Sequence, residues 1–196
     1  MILSQGYFDR MYRGSADPWS LATRWYEARK YALSLALLPR ADYDRAFEPG
    51  CSIGVLTAML APRCKQLVSW DTADPAVEQA RLRAPTAEVE QRAIPDEWPD
   101  GTFDLLVFSE ILYYFSDGDL ARVLDSAVAS LRPGGALLAV HWRRPVPEYP
   151  LSGDEAHDAL ARTGLSRLIE HSEEDFRAEV YVNGEPISVA TAEGLT

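Results

Sequence analysis

The chain has 196 residues, enough for one domain with a proper core, and its 47% hydrophobic and 25% charged content is that of an ordinary globular protein. Nineteen Lys and Arg against 30 Asp and Glu give a net charge of -11, which argues against a protein that tracks nucleic-acid phosphates. Two cysteines neither build a disulfide scaffold nor complete a zinc site, no apolar run approaches a membrane span, and the N-terminus lacks a signal-peptide core, so a cytoplasmic setting is expected.

Residues 1–18 read as irregular, with Tyr7, Phe8, Met11 and Tyr12 as anchors, and Asp17-Pro18-Trp19-Ser20 reads as a turn. From about Leu21, the residues Leu21, Trp25, Ala28, Ala32 and Leu35 recur at helical spacing until Pro39. That stripe puts Trp25 in the core and leaves Arg24, Arg29 and Lys30 on a solvated face. Arg45 to Glu48 is the first strand. Gly54 to Ala61 is a helix with Val55, Met59 and Leu60 inward, stopped by Pro62. A second strand, Gln66 to Trp70, ends at Asp71. Asp74 then caps a helix with Pro75 at its first position. Ala87 to Gln91 is a weaker third strand, and Trp98-Pro99-Asp100-Gly101 is a turn.

Phe103 to Phe108 is almost continuously apolar, as in a strand buried on both faces of a parallel sheet. Leu120, Val123, Leu124, Ala127, Val128 and Leu131 define the cleanest helix. Pro133-Gly134-Gly135 breaks it before a fifth strand, Ala136 to His141. Ser152-Gly153-Asp154-Glu155 reads as a capping box for a helix ending near Gly164. Arg167 to Ser172 and Phe176 to Asn183 read as a closing hairpin, and the last dozen residues as loosely held. The expected fold is α/β: a Rossmann-like, doubly wound, mainly parallel seven-stranded sheet with a closing antiparallel hairpin. Ligands of such sheets bind at the carboxyl ends of the strands, which gathers Glu48 to Gly54, Asp71, Ala93, Ser109 to Tyr114 and His141 around one crevice.

The pattern Gly50-x-Ser52-x-Gly54 alone fits three readings. As a serine-hydrolase elbow it comes too early in the domain, and no oxyanion-hole glycine motif precedes it. As a dinucleotide site it has Asp71 at 71 − 50 = 21 residues from Gly50, but Ser52 replaces the middle glycine and no second mononucleotide half follows. The third reading adds Glu48 at the strand end. Glu48-x-Gly50-x-x-x-Gly54, then Asp71, then Phe103-Asp104-Leu105-Leu106-Val107, then Leu131-Arg132-Pro133-Gly134-Gly135 resemble the class I S-adenosylmethionine-dependent methyltransferases over about residues 40–183. More narrowly, Asp17-Pro18-Trp19, Trp25-Tyr26-Glu27, Arg29-Lys30-Tyr31-Ala32-Leu33, Phe47 to Gly54, Ser109-Glu110-Ile111-Leu112-Tyr113-Tyr114 and His141-Trp142-Arg143 resemble the nodulation protein S family, whose founding members N-methylate a glucosamine amine on a chito-oligosaccharide.

That resemblance implies a single methyltransferase domain: residues 1–40 cover the cofactor site, 41–183 form the core and 184–196 a tail. It implies S-adenosylmethionine as cofactor, with S-adenosylhomocysteine as product and no metal. By resemblance Glu48 lies near the ligand's amino group, and Gly50, Cys51, Ser52 and Gly54 pack against its methionine part. Asp71, with Thr72 beside it, accepts the ribose hydroxyls. Arg92 stands where relatives often carry an acidic residue and cannot accept a hydrogen bond, so adenine falls to Ala93 and Ile94. Trp19, Tyr26 and Arg29 are candidates to close over the carboxylate end, and Ser109 adjoins the methyl. An amine must be neutral to attack, so Glu110 and His141 are the candidate catalytic groups at strand ends, with Tyr113 and Tyr114 toward the acceptor. His157 and His171 read as ordinary helix and strand residues. The expected partner is a small-molecule acceptor, a sugar or glycoside amine, and neither nucleic acid nor membrane. The alternatives are O-methylation of a natural-product hydroxyl and, more remotely, a non-catalytic cofactor-binding regulator.

Overall fold

In the computed structural model, which describes residues 5–196, the apolar run Phe103–Ser109 is a strand buried along nearly its whole length at the middle of a seven-stranded sheet. In chain order the strands are β1 (Tyr43–Pro49), β2 (Cys64–Asp71), β3 (Glu88–Gln91), β4 (Phe103–Ser109), β5 (Leu131–Trp142), β6 (Ser166–Ser172) and β7 (Phe176–Val182). The helices are α1 (Gln5–Gly14), α2 (Trp25–Leu37), α3 (Val55–Leu60), α4 (Asp74–Arg83), α5 (Asp117–Ser130), α6 (Gly153–Leu160) and a short α7 (Val189–Ala192). The spatial order is β3-β2-β1-β4-β5-β7-β6, with β7 antiparallel to both its neighbours. The winding direction reverses between β1 and β4, so their carboxyl ends open the crevice.

Both faces of the sheet are covered, and strand parity assigns each residue to a face. Phe47, Leu106, Phe108, Leu137, Ala139 and Tyr181 meet α5 and α6. Ala46, Leu105, Val107, Leu138, Val140 and Val180 meet α2 and α3. At the edge away from the crevice, Asp104 accepts the backbone N–H groups of Asp44 at 3.0 Å and Arg45 at 2.8 Å and pairs with Arg40 at 2.7 Å, bracing β1 against β4. The Ser152 capping box is present, with Glu155 N donating to Ser152 Oγ at 3.2 Å and Ser152 N to Glu155 Oε2 at 2.7 Å.

Several local expectations are corrected. The segment read as irregular contains α1, which buries Tyr12 against Ile53 and α4. In α3 the inward residues are Leu56, Thr57 and Leu60, with Val55 and Met59 only partly covered. Asp74 is the first residue of α4 rather than its cap, which is Ala73. Strand β5 begins at Leu131: Phe103 pairs with Leu131 and Leu105 with Ala136, so Pro133-Gly134-Gly135 forms a bulge inside the strand.

The largest correction concerns α2, which is turned so that Glu27, Lys30, Tyr31 and Ser34 are buried, while Trp25 is 77% exposed and Ala28 and Ala32 face solvent. Tyr31 and Leu38 carry the packing onto the sheet, and the charged residues of the same face find partners at the crevice. Among the described residues no helix is long and apolar enough to cross a membrane.

Candidate active site

Asp71 ends β2, and its carboxylate joins the glycine turn to α4: Ser52 N donates to Oδ2 at 2.8 Å and Ala73 N to Oδ1 at 2.9 Å. Gly50 N and Cys51 N both donate to Trp70 O, at 2.7 and 3.0 Å, closing the turn over the end of β2. The turn needs left-handed backbone at Gly50 (φ 74), Ser52 (φ 50) and Gly54 (φ 77). A Cβ on Gly50 would stand 2.7 Å from the Ile111 side chain, and one on Gly54 2.7 Å from the Ala80 backbone, so Gly54 serves the α3–α4 approach. Ser52 holds the middle-glycine place, its hydroxyl tied to Tyr12 of α1, which is no arrangement for a nucleophile.

Around this turn lies a crevice of about 640 Å³, a size suited to a cofactor plus acceptor. Trp19, Tyr26, Glu48, Gly50, Cys51, Ser52, Asp71, Thr72, Ala93, Ile94, Ser109, Glu110 and Tyr113 all line it. Glu48 is 2% exposed on the α3 face, with Ser69 Oγ donating to its Oε2 at 3.0 Å; burial pushes its pKa up to about 7. Arg92 lines the crevice with its guanidinium 5.5 Å from the Trp70 ring centre and pairs with Glu90 and Glu97, so this position offers no side-chain acceptor.

At the opposite end, Glu110 turns the corner after β4 in left-handed backbone (φ 58). Its Oε1 accepts Lys30 Nζ at 2.6 Å, and its Oε2 accepts Tyr113 OH at 2.6 Å and Trp142 N at 2.9 Å. Lys30 also meets Glu27 Oε2 at 2.9 Å and lies 5.2 Å from the Tyr26 ring centre. Burial works against the Lys30 charge, but Glu110 and Glu27 overcome it and raise its pKa. Tyr113 and Tyr149 stack at 4.9 Å, and Tyr114 meets both rings edge-on. Lys30 and Glu27 carried no sign of burial in the sequence beyond their i, i+3 spacing.

Three predicted site residues fall outside the crevice lining: Gly54, which serves the α3–α4 approach, Arg29 and His141. Arg29 makes a two-pronged pair with Glu173 at 2.8 and 2.6 Å, and the guanidinium lining the crevice is that of Arg24. His141 has the parity of Leu137 and Ala139, so it points at α6 and is fully buried. Its Nε2 accepts Leu112 N at 3.2 Å; its Nδ1 meets His157 Nε2 at 3.2 Å; and His157 Nδ1 meets Glu179 Oε2 at 2.6 Å. Burial, then His157, push the His141 pKa well below the usual value, so the ring is neutral and its proton sits on Nδ1. The relay runs Leu112 to His141 to His157 to Glu179, which Arg167, Arg177 and Tyr181 also hold. His157 is therefore a partner in a buried brace rather than an ordinary helix residue. His141→Ala should cost about 3 kcal/mol of unfolding free energy by urea titration, through orphaned polar groups and a cavity, with cofactor affinity little changed. A stable variant with abolished turnover would return His141 to the chemistry.

Parallel order, glycine turn and paired carboxylates at the strand ends define a class I S-adenosylmethionine-dependent methyltransferase. The sequence profile of nodulation protein S (NodS) matches residues 9–169. Nodulation protein S of Bradyrhizobium diazoefficiens is 33% identical over 164 residues, covering 78% of this chain and 76% of that protein. The chain belongs to the nodulation protein S family. A crystal structure from Pseudomonas syringae with a provisional methyltransferase designation is 48% identical, with a TM-score of 0.72 over 81% of this chain and 99% of that one. The N-methyltransferase NodS of Bradyrhizobium japonicum, in complex with S-adenosyl-L-homocysteine, shares the fold with a TM-score of 0.83 at 24% identity, over 92% of this chain and 98% of that one.

The crevice offers what S-adenosylmethionine requires: carboxylates for an ammonium and for ribose hydroxyls, and a buried Tyr26 hydroxyl with no hydrogen-bond partner among the described residues. Among the described residues no group of three or more His, Cys, Asp or Glu is arranged to hold a metal ion.

Proposed function

We propose that the protein N-methylates the amine of a small sugar or glycoside. The observation that carries this is Glu110, a carboxylate tied down by three donors beside Tyr113 at the acceptor end of the crevice. When bound, the cofactor supplies an activated sulfonium methyl. Asp71 takes its ribose hydroxyls, Glu48 its ammonium, Ala93 and Ile94 its adenine, and Tyr26 with Arg24 its carboxylate. Trp19 and α1 exclude water above it. Glu110 attracts the acceptor's ammonium and holds its nitrogen in line with the methyl, which is the main service that such a displacement asks of a protein.

Six acidic residues line the crevice (Glu27, Glu48, Asp71, Asp96, Glu110 and Asp175) against three basic ones (Arg24, Lys30 and Arg92), a balance that favours a cationic acceptor. Tyr113, Tyr114, Tyr149 and Trp142 supply flat apolar faces and hydroxyls suited to a sugar ring. Among the described residues no histidine lines the crevice, which counts against the O-methyl alternative. The free thiols of Cys51 and Cys64 suit a reducing cytoplasm. The test is a panel of amino sugars, their N-acetylated forms and amine-free sugars incubated with labelled S-adenosylmethionine. Label should enter the free amines alone; methylation of an amine-free sugar at comparable rate would overturn the reading.

A further inference from the structure

The geometry points to Glu27, on the cover helix, as the carboxylate that takes the acceptor's proton, with Lys30 as its positioning residue. The inference rests on the amine reading above.

Two carboxylates approach one lysine at the acceptor end, and their surroundings differ. Glu110 spends three of its oxygen lone pairs on Lys30, Tyr113 and the Trp142 amide. Glu27 meets one donor, Lys30 Nζ at 2.9 Å on Oε2, and lines the same crevice while only 8% exposed. The charged and titratable groups facing it are Arg24, Tyr26, Lys30 and Tyr31 from its own segment and Glu110 from the β4 corner. Burial is the strongest influence and raises its pKa against the pull of Lys30, toward the range of an effective base. Lys30, shared at 2.6 Å and 2.9 Å, holds the two carboxylates on either side of one cation. An incoming ammonium is thus held by Glu110 while a second carboxylate stands ready to accept.

The steps balance. The acceptor R–NH3+ gives one proton to the Glu27 carboxylate and becomes R–NH2. The nitrogen lone pair forms the N–C bond as the C–S bond breaks, and its electrons pass to sulfur, leaving a neutral thioether. The product is R–NH2+–CH3, and the Glu27 proton leaves to solvent.

Glu27→Gln keeps the shape and removes the base. With glucosamine as acceptor, kcat at pH 7 should fall about 100-fold and the deficit should shrink below about fivefold at pH 9, where solvent has already neutralised the amine. S-adenosylhomocysteine affinity should stay within threefold of wild type. An unchanged rate at pH 7, or an equal loss at every pH, would overturn the inference. A second readout needs no turnover: in the free protein labelled with 13C-carboxyl glutamate, the resonance missing from Glu27→Gln should titrate above the ordinary glutamate value, and a midpoint at or below that value overturns it. If wild type methylates amines and Glu27→Gln is unimpaired, this inference falls alone; if wild type refuses every amine, the amine reading falls and takes this inference with it.

Discussion

Calorimetry with S-adenosylmethionine should show affinity falling about 100-fold in Asp71→Ala, the equivalent of two charge-assisted hydrogen bonds to ribose hydroxyls. The loss is compounded because Ser52 N and Ala73 N lose their acceptor and the glycine turn loses its tie to β2. Glu48→Gln keeps a partner for Ser69 but removes the charge proposed to meet the cofactor's ammonium. Its effect should depend on pH. The Glu48 carboxyl, pushed up to about 7, still holds a proton at pH 6, and a cation can bind only as that proton leaves. Wild-type affinity should therefore rise by up to tenfold per pH unit from pH 5.5 to 7, with proton release visible as a buffer-dependent heat. In Glu48→Gln that slope should vanish. The same shift destabilises the free protein as pH climbs from about 4.5 through 7, because the folded state retains a proton that the unfolded chain has released. Undiminished affinity in both variants would refute the cofactor site.

Glu110→Gln should reduce kcat with an amino-sugar acceptor by at least about 100-fold while S-adenosylmethionine affinity changes less than threefold. The amide can still face Tyr113 and the Trp142 N–H, but Lys30 loses one of its two anions and, on the proposed reading, the acceptor ammonium loses its anchor. A rise in the acceptor KM should accompany the fall in kcat if Glu110 acts before and during transfer, as proposed. Wild-type turnover in this variant would remove Glu110 from the mechanism.

Much of the fold was legible because the main signals were local. The nearly continuous apolar run at Phe103–Phe108 reads as a strand covered on both faces, and the Leu120–Ala127 spacing as a helix with one buried stripe, whereas Leu131, which fits the same spacing, already belongs to β5. What was hidden depended on partners far along the chain. Lys30 looks like surface on any helical wheel; it is inside because Glu110, 80 residues later, meets it there. Trp25 fits the stripe and is nonetheless exposed, because α2 docks through Tyr31 and Leu38 on a different face. His141 was correctly set at the end of a strand, but one residue of parity separates the crevice from α6, and only His157 makes that choice visible. Arg29 was withheld from the crevice by Glu173, in a turn that the sequence does not link to α2.

The backbone at Glu110, left-handed at φ 58, costs roughly 1–2 kcal/mol in a residue that carries a Cβ. Beside it, Lys30 and Glu27 are sunk into the fold, where apolar side chains of similar size are often as stable or more so. Stability and turnover therefore pull this corner in opposite directions. On the proposed mechanism, a glycine at position 110 and a greasy pair at 27 and 30 would make a calmer protein and an idle one. Any ranking of sequences for this fold by robustness alone would discard the very positions proposed to give the crevice its use.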